Sequence, residues 1–301
     1  MAFVKKTVKN GKAYYDLVES VRVGGKPKHR FIAHLGTRKP GDDELVMINM
    51  NLKGNDRVDA KKPLLTPNER KEIDALNREL RKRIGEYSEL EMDNWKKRFS
   101  SDFIFNTNAI EGSTITREET ELILETGQMI EGKSLREIYE VDNMSEAIRF
   151  MNAYKGDISE KFIKVIHAIV QKNIDKETLG KYKRVPNYIG KHYPTHPIFV
   201  ERRMREELSW YSRNIKKVHP FELALLMHLK IVMIHPFTDG NGRVARLIQN
   251  FILQKNNFVP MIYSNENKMQ YYVALSLAGE GKLRPFVEFT VSEWKRTYKR
   301  H

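Results

Sequence analysis

The chain contains no cysteine, which excludes a disulfide framework and thiol catalysis and suits a cytoplasmic setting. It also lacks any run near the roughly 18 uninterrupted apolar residues that a membrane span requires. Its first residues lack the apolar stretch of a signal peptide, so no membrane partner is expected. Strand-like alternation is almost missing between Thr66 and Asn173. Acids are the scarcer charge: 39 against 53 basic residues, a net +14. That balance suits nucleic acid, nucleotide or acidic-protein partners, or simply a solvated lysine-rich surface. What remains is 301 residues at 40% hydrophobic content, enough for a packed core and more than one domain.

The first forty residues differ from the rest. Tyr14 to Val23 is rich in strand formers, Gly24-Gly25 makes a turn, and Arg30 to Leu35 reads as a return strand. Gly11 and Gly36 bracket this small antiparallel unit, which carries ten basic residues against Asp16 and Glu19. Basic residues interleaved with Tyr14, Tyr15 and Phe31 suit nucleic acid. A docking or homodimer surface with a soluble basic face is the other reading. Residues 37–63 read as a linker with one short strand, Leu45 to Met50.

From Thr66 the chain turns helical. Thr66-Pro67-Asn68-Glu69 is a capping box with proline at the first helical position, and a helix should follow to about Ile84. A longer one is expected from Tyr87 to Ile110, ended by Gly112. Thr116, Ser134 and Ser159 open three more, and Lys268–Gly279 and Leu283–Tyr298 read as a final pair. His167 and His228 lie in apolar helical runs and read as satisfied core histidines. His219-Pro220-Phe221 reads as a helix entry, and His192 and His196 as loop histidines among prolines.

The chemistry concentrates in His235 to Arg246, His-Pro-Phe-Thr-Asp-Gly-Asn-Gly-Arg-Val-Ala-Arg, a polar loop between two apolar helical runs. Gly240 and Gly242 let the backbone amides turn toward a ligand, and a helix beginning near Gly242 would present its N-terminus as an anion site. Arg243 and Arg246 lie three apart on one helix face, with forks that match phosphate oxygens. Asp239 is the one acid here, and a lone carboxylate among phosphates commonly holds magnesium. His235 alone in the loop can take a proton near neutral pH. These parts describe phosphoryl or nucleotidyl transfer from a magnesium-bound nucleotide, with histidine as general base.

The stretch resembles the signature of the Fic family, His-x-Phe-x-Asp/Glu-Gly-Asn-Gly-Arg-x-x-Arg. His235, Phe237, Asp239, Gly240, Asn241, Gly242, Arg243 and Arg246 fill every specified position. The resemblance implies a mainly α, Fic-type helical bundle with a β-hairpin flap, here preceded by the small β appendage. The implied divisions are 1–60, basic appendage and linker; 61–156, helical region; and 157–301, catalytic core. The implied activity is transfer of AMP from ATP to a Ser, Thr or Tyr hydroxyl of a protein. His235 would be the catalytic base and Asp239 the Mg2+ ligand. Phe237, Gly240, Asn241, Gly242, Arg243 and Arg246 would form the nucleotide site. Kinase-like relatives carry lysine at the second glycine, so Gly242 favours nucleotidyl transfer.

Two further stretches resemble the family. Thr107-x-x-x-Glu111-Gly112 is similar to its inhibitory motif, whose glutamate pairs with the last signature arginine, here Arg246, and competes with the nucleotide γ-phosphate. Residues 178–198, with short β-type pieces flanked by glycines and stopped by prolines, are similar to the flap, on which a protein target would dock around residues 182–190 by strand addition. Alternatives are removal of AMP with Glu111 aligning a water, another phosphotransferase chemistry, or a protein that binds nucleic acid through its N-terminus.

Overall fold

The computed structural model describes residues 2–54, 58, 63–187 and 193–300. The chain opens with a three-stranded antiparallel sheet in the order β1 (Ala2–Lys9), β2 (Lys12–Val23), β3 (Lys26–Gly36). The first strand is an addition to the two that the sequence suggested. Its cue was Asn10-Gly11, whose positive φ angles of 50° and 73° make the two-residue turn that matches strand twist.

The expected strand Leu45 to Met50 is instead part of a helix, α1 (Asp42–Lys53). Three acids occupy its first turn, Lys53 its last, and Gly54 closes it with φ 83°. Glu44, Met47, Ile48 and Asn51 are buried, a helical spacing of three, four and seven that outweighs the β-branched residues. Ile48 packs with Leu17 of β2 and Phe199 in a small second core. Glu44 pairs with His196 at 3.1 Å. Asn51 is fully buried, its side chain accepting from His196 N at 2.6 Å and donating to Pro194 O. The appendage is therefore held on the helical body by polar as well as apolar contacts.

The remaining helices are α2 (Pro67–Gly85), α3 (Glu89–Ile110), α4 (Arg117–Thr126), α5 (Leu135–Ala153), α6 (Glu160–Val170), α7 (Pro197–Asn214), α8 (Pro220–Ile234), α9 (Asn241–Lys255), α10 (Lys268–Gly279) and α11 (Arg284–Arg300). The expected starts at Thr66, Thr116 and Ser134 each form a reciprocal capping box, as does Ser88 ahead of α3. The helix α7 was not foreseen. Pro197 stands at its first position and His196 caps it by accepting from Ile198 N, while His192 lies outside the described residues. His219 likewise caps α8.

Helix α8 is buried on nearly every side, as a helix apolar all round must be. It packs against α9, with α6, α7, α10 and α3 around the pair. Burial also draws in polar side chains, which find partners. Glu222 of α8 accepts from Leu65 N and Arg70 at the start of α2, and Asn250 of α9 exchanges two hydrogen bonds with the backbone of Met261. No helix among the described residues is long and apolar enough to cross a membrane.

Candidate active site

The loop joining α8 to α9 begins where α8 stops. His235 is the C-cap of α8 and adopts φ 51°, ψ 62°, a left-handed conformation that costs a non-glycine residue about 1 kcal/mol or more and tends to persist where function requires it. Phe237, two residues on, is fully buried and stacks on His167 of α6, ring centroids 3.8 Å apart and planes 6° from parallel. A ring sealed in the core in this way anchors the loop.

Asn241 completes the loop's frame. Its carboxamide accepts from Phe237 N at 2.8 Å and donates to Phe237 O at 2.9 Å, so both ends of the side chain brace the turn. His167 holds the other side. Its Nδ1 accepts from Gly180 N at 3.0 Å, which leaves the ring proton on Nε2 to donate to Asp239 O at 3.2 Å. Burial, partly offset by Asp239, pushes the His167 pKa down to about 4, so this histidine is neutral and satisfied, as the sequence suggested. His228 is also neutral, its pKa lowered to about 3 chiefly by burial, and its Nε2 lies 2.9 Å from the Tyr271 hydroxyl.

Gly240, at φ 73°, starts α9, and no side chain caps that helix. The open amides of its first turn face the loop and form an anion cradle. A Cβ at Gly240 would meet Gln171 Nε2 at 2.5 Å, and one at Gly242 would stand 2.2 Å from Glu111 Oε1. The positive φ of Gly240 itself favours glycine, and the bare Cα of Gly242 leaves space for the Glu111 carboxylate from the end of α3.

That carboxylate belongs to the end of α3. Arg246, only 2% exposed, donates from Nη2 to Glu111 Oε1 at 2.6 Å. It also donates from Nε to Thr107 Oγ1 at 2.6 Å and from Nη2 to Thr107 O at 3.0 Å. The Thr107–Glu111 turn therefore closes on the last arginine of the loop, as the sequence led us to expect. Tyr271 lies beside the guanidinium, its ring centroid 6.0 Å away. Tyr272 donates its hydroxyl to Ile110 O at 2.6 Å, satisfying one of the last carbonyls of α3 and tying α10 to the glutamate's helix.

A second charge cluster surrounds Arg243. This residue is 1% exposed and lies 2.9 Å from Glu140 of α5 and 3.7 Å from Asp239. Arg136, one turn earlier on α5, bridges the same two acids, at 3.2 Å to Glu140 and 2.5 Å to Asp239. Burial raises the Asp239 pKa, but Arg243, the Gly240 amide and Arg136 outweigh it and hold the carboxyl below its usual range. Neither Arg136 nor Glu140 stood out in the sequence, because an i, i+4 Arg–Glu pair on a helix reads as an ordinary exposed pair. Among the described residues no three His, Asp or Glu side chains cluster as a metal site. Magnesium shared with phosphates needs only one or two carboxylates, and half-exposed Asp239 at the mouth of the cradle meets that need.

The flap expected at residues 182–190 is described only to 187. Residues 181–187 contain no strand, and the rest of the expected flap, up to 190, lies outside the described residues. The described part runs beside the loop: Lys183 N donates to Pro236 O at 2.9 Å and Asn187 Nδ2 to Phe237 O at 3.3 Å.

Residues 157–253 match the Fic/DOC family, and residues 3–54 match the IS1634 family transposase N-terminal domain. Protein adenylyltransferase fic-1 of Caenorhabditis briggsae is 33% identical over 243 residues, 76% of this chain and 48% of its own length. Protein adenylyltransferase Fic of Nematostella vectensis is 37% identical over 199 residues, 64% of this chain and 47% of its own. The chain thus spans about half the length of the curated relatives it matches. Among solved structures, residues 134–508 of Caenorhabditis elegans Fic-1 superpose with a TM-score of 0.70 at 29% identity, covering 87% of this chain and 77% of that one. A Fic-domain signaling protein of Bacteroides thetaiotaomicron superposes at 0.69 with 25% identity, covering 76% and 93%. The loop, its glutamate and these likenesses together identify residues 157–253 as a Fic/DOC domain.

Proposed function

We propose that the protein transfers AMP from ATP to a hydroxyl of a protein substrate and that Glu111 restrains it. The observation that carries this reading is the uncapped start of α9, set between His235 on one side and the Arg246–Glu111 pair on the other. The loop amides and Arg243 hold the phosphates. His235 takes the acceptor's proton as its oxygen attacks the α-phosphorus, the bond to the β-phosphate breaks, and pyrophosphate leaves. Asp239 would hold magnesium, which would neutralise phosphate charge, and Arg136 competes for the same carboxylate. Phe237 and Asn241 position the loop without touching the nucleotide.

Glu111 fills the Arg246 fork that a γ-phosphate would otherwise take, so ATP is held with its α-phosphate turned from attack. A target's extended segment would dock beside residues 181–187, which pass next to His235 through the Lys183–Pro236 bond. The same carboxylate favours a second direction. Glu111, one-third exposed over Gly242, would align a water for removing AMP from a modified protein.

Parallel incubations with α- and γ-labelled ATP test the chemistry. Label kept on protein only from the α position, and lost in His235→Ala while nucleotide still binds by calorimetry, is the expected result. Transfer of the γ label, or undiminished labelling by His235→Ala, contradicts it.

A further inference from the structure

We propose that the β2–β3 ribbon of the N-terminal sheet docks in the major groove of duplex DNA. The proposal is independent of AMP transfer and rests on the shape and charge of the ribbon. Its root is fixed, because Leu17 is buried against Ile48 and Phe199. Beyond that root the ribbon leaves the body, and every residue from Arg22 to Phe31 is exposed.

The dimensions suit a groove. Two paired strands lie about 4.8 Å apart, and the major groove, roughly 12 Å wide and 8.5 Å deep, admits a two-stranded ribbon. The four residues from Ser20 to Val23 carry the ribbon about 13 Å outward at roughly 3.3 Å per residue. Its tip is Gly24-Gly25, at φ 61° and 78°, where nothing lies within 4 Å of an added Cβ. Backbone conformation alone calls for glycine there, and the tip is correspondingly narrow.

The charges are distributed for an enclosed position. Lys28 pairs across from Val21 and Lys26 from Val23, on one face, whereas Arg22 pairs across from Pro27 on the other. No acid occurs between Ser20 and Phe31. Arg22, Lys26 and Lys28 form no ion pair among the described residues, and Arg30 is engaged by Glu19 at 2.5 Å. A ribbon laid flat on an acidic protein needs one cationic face. A ribbon between two phosphate walls needs cations on both, and this one has them. At the ribbon's base Phe31 is 61% exposed, and Phe3 packs edge-on to His29 at 5.1 Å, giving apolar surface for sugar or base contact. The match of residues 3–54 to a transposase N-terminal domain agrees with a DNA partner. A-form RNA, whose major groove is too narrow and deep for such a ribbon, does not fit.

The test is fluorescence anisotropy of the full chain with a labelled duplex of about 30 base pairs, across about 50 to 200 mM salt. Binding should weaken as salt rises, with a slope of about −0.9 per phosphate contacted. The triple variant Arg22→Gln/Lys26→Gln/Lys28→Gln alters only exposed side chains and should keep its circular dichroism and melting temperature. It should bind at least about tenfold more weakly, with the slope reduced by about 2 to 3. Lys5→Gln/Lys9→Gln/Lys12→Gln, at the far end of the sheet, should change binding less, and His235→Ala should not change it. The proposal is overturned by no binding at the lowest salt, by equal loss in both triple variants, or by equal affinity for duplex RNA or polyglutamate. A wild-type dimer that the ribbon variant dissociates would also overturn it, assigning the ribbon to a second copy.

Discussion

Replacing Glu111 by glycine isolates the contact that joins α3 to the catalytic loop. The carboxylate sits 2.6 Å from a buried guanidinium but is itself 34% exposed. A hydrogen bond to a charged group contributes about 1.5 to 3 kcal/mol, and exposed pairs fall to about 0 to 1. A partner one-third in solvent belongs between these, at about 1 to 2 kcal/mol. At 1.36 kcal/mol per factor of ten, freeing Arg246 should raise AMP transfer about five- to thirtyfold. Folding stability should fall only by about that same 1 to 2 kcal/mol, with no added backbone cost, because residue 111 is the C-cap, with helical φ and ψ, and Gly112 already supplies the left-handed stop at φ 105°. The assay is incorporation of α-labelled ATP into the chain or an added target, with melting temperature as a control. Adding Arg246→Ala should cancel the gain. Thr107→Ala should give a smaller gain, because the Thr107 carbonyl still accepts from Arg246. Unchanged or reduced transfer in a Glu111→Gly variant that still melts cooperatively refutes the restraint.

Other expectations follow from the site's frame. Arg136→Gln should tighten Mg2+-dependent nucleotide binding by up to about fivefold, the worth of a half-exposed ion pair, measured by calorimetry; unaltered affinity would mean that Arg136 does not contest Asp239. Phe237→Ala should cost about 3 to 5 kcal/mol of stability in urea titration, and a loss below about 1 kcal/mol would contradict its anchoring place. The neutral His167, with its pKa lowered to about 4, adds stability that is fully present above its unfolded pKa of about 6.5 and is lost as pH falls toward 4. Stability should therefore decline across that window by up to about 3 kcal/mol from this group, and a flat profile between pH 6.5 and 4.5 would contradict a neutral, buried ring.

The contrast between what sequence revealed and what it hid has physical reasons. Helix starts were legible at Thr66, Thr116 and Ser134 because capping is a local exchange of hydrogen bonds. The Thr107–Glu111 contact with Arg246 was legible only through a resemblance, since nothing local announces a partner 139 residues on. Helix α1 was hidden because a short run rich in β-branched and methionine residues resembles a strand when its burial against Leu17 and Phe199 is unseen. The anchoring of Phe237 was hidden because its stacking partner, His167, lies 70 residues earlier on another helix. Arg136 and Glu140 escaped notice because their importance lies in which residues of another helix they meet.

The order in which the chain is made gives the Arg246–Glu111 contact a further meaning. Synthesis runs from the N-terminus, so α3 with Thr107 and Glu111 is complete well before His235 to Arg246 is translated. A nascent chain never holds a finished loop without the glutamate already present. If the restraint works as proposed, newly made enzyme emerges switched off, with no interval in which it modifies its neighbours at the ribosome. An inhibitory helix placed after the loop would have left such an interval, lasting several seconds at the usual ~5 to 20 residues per second.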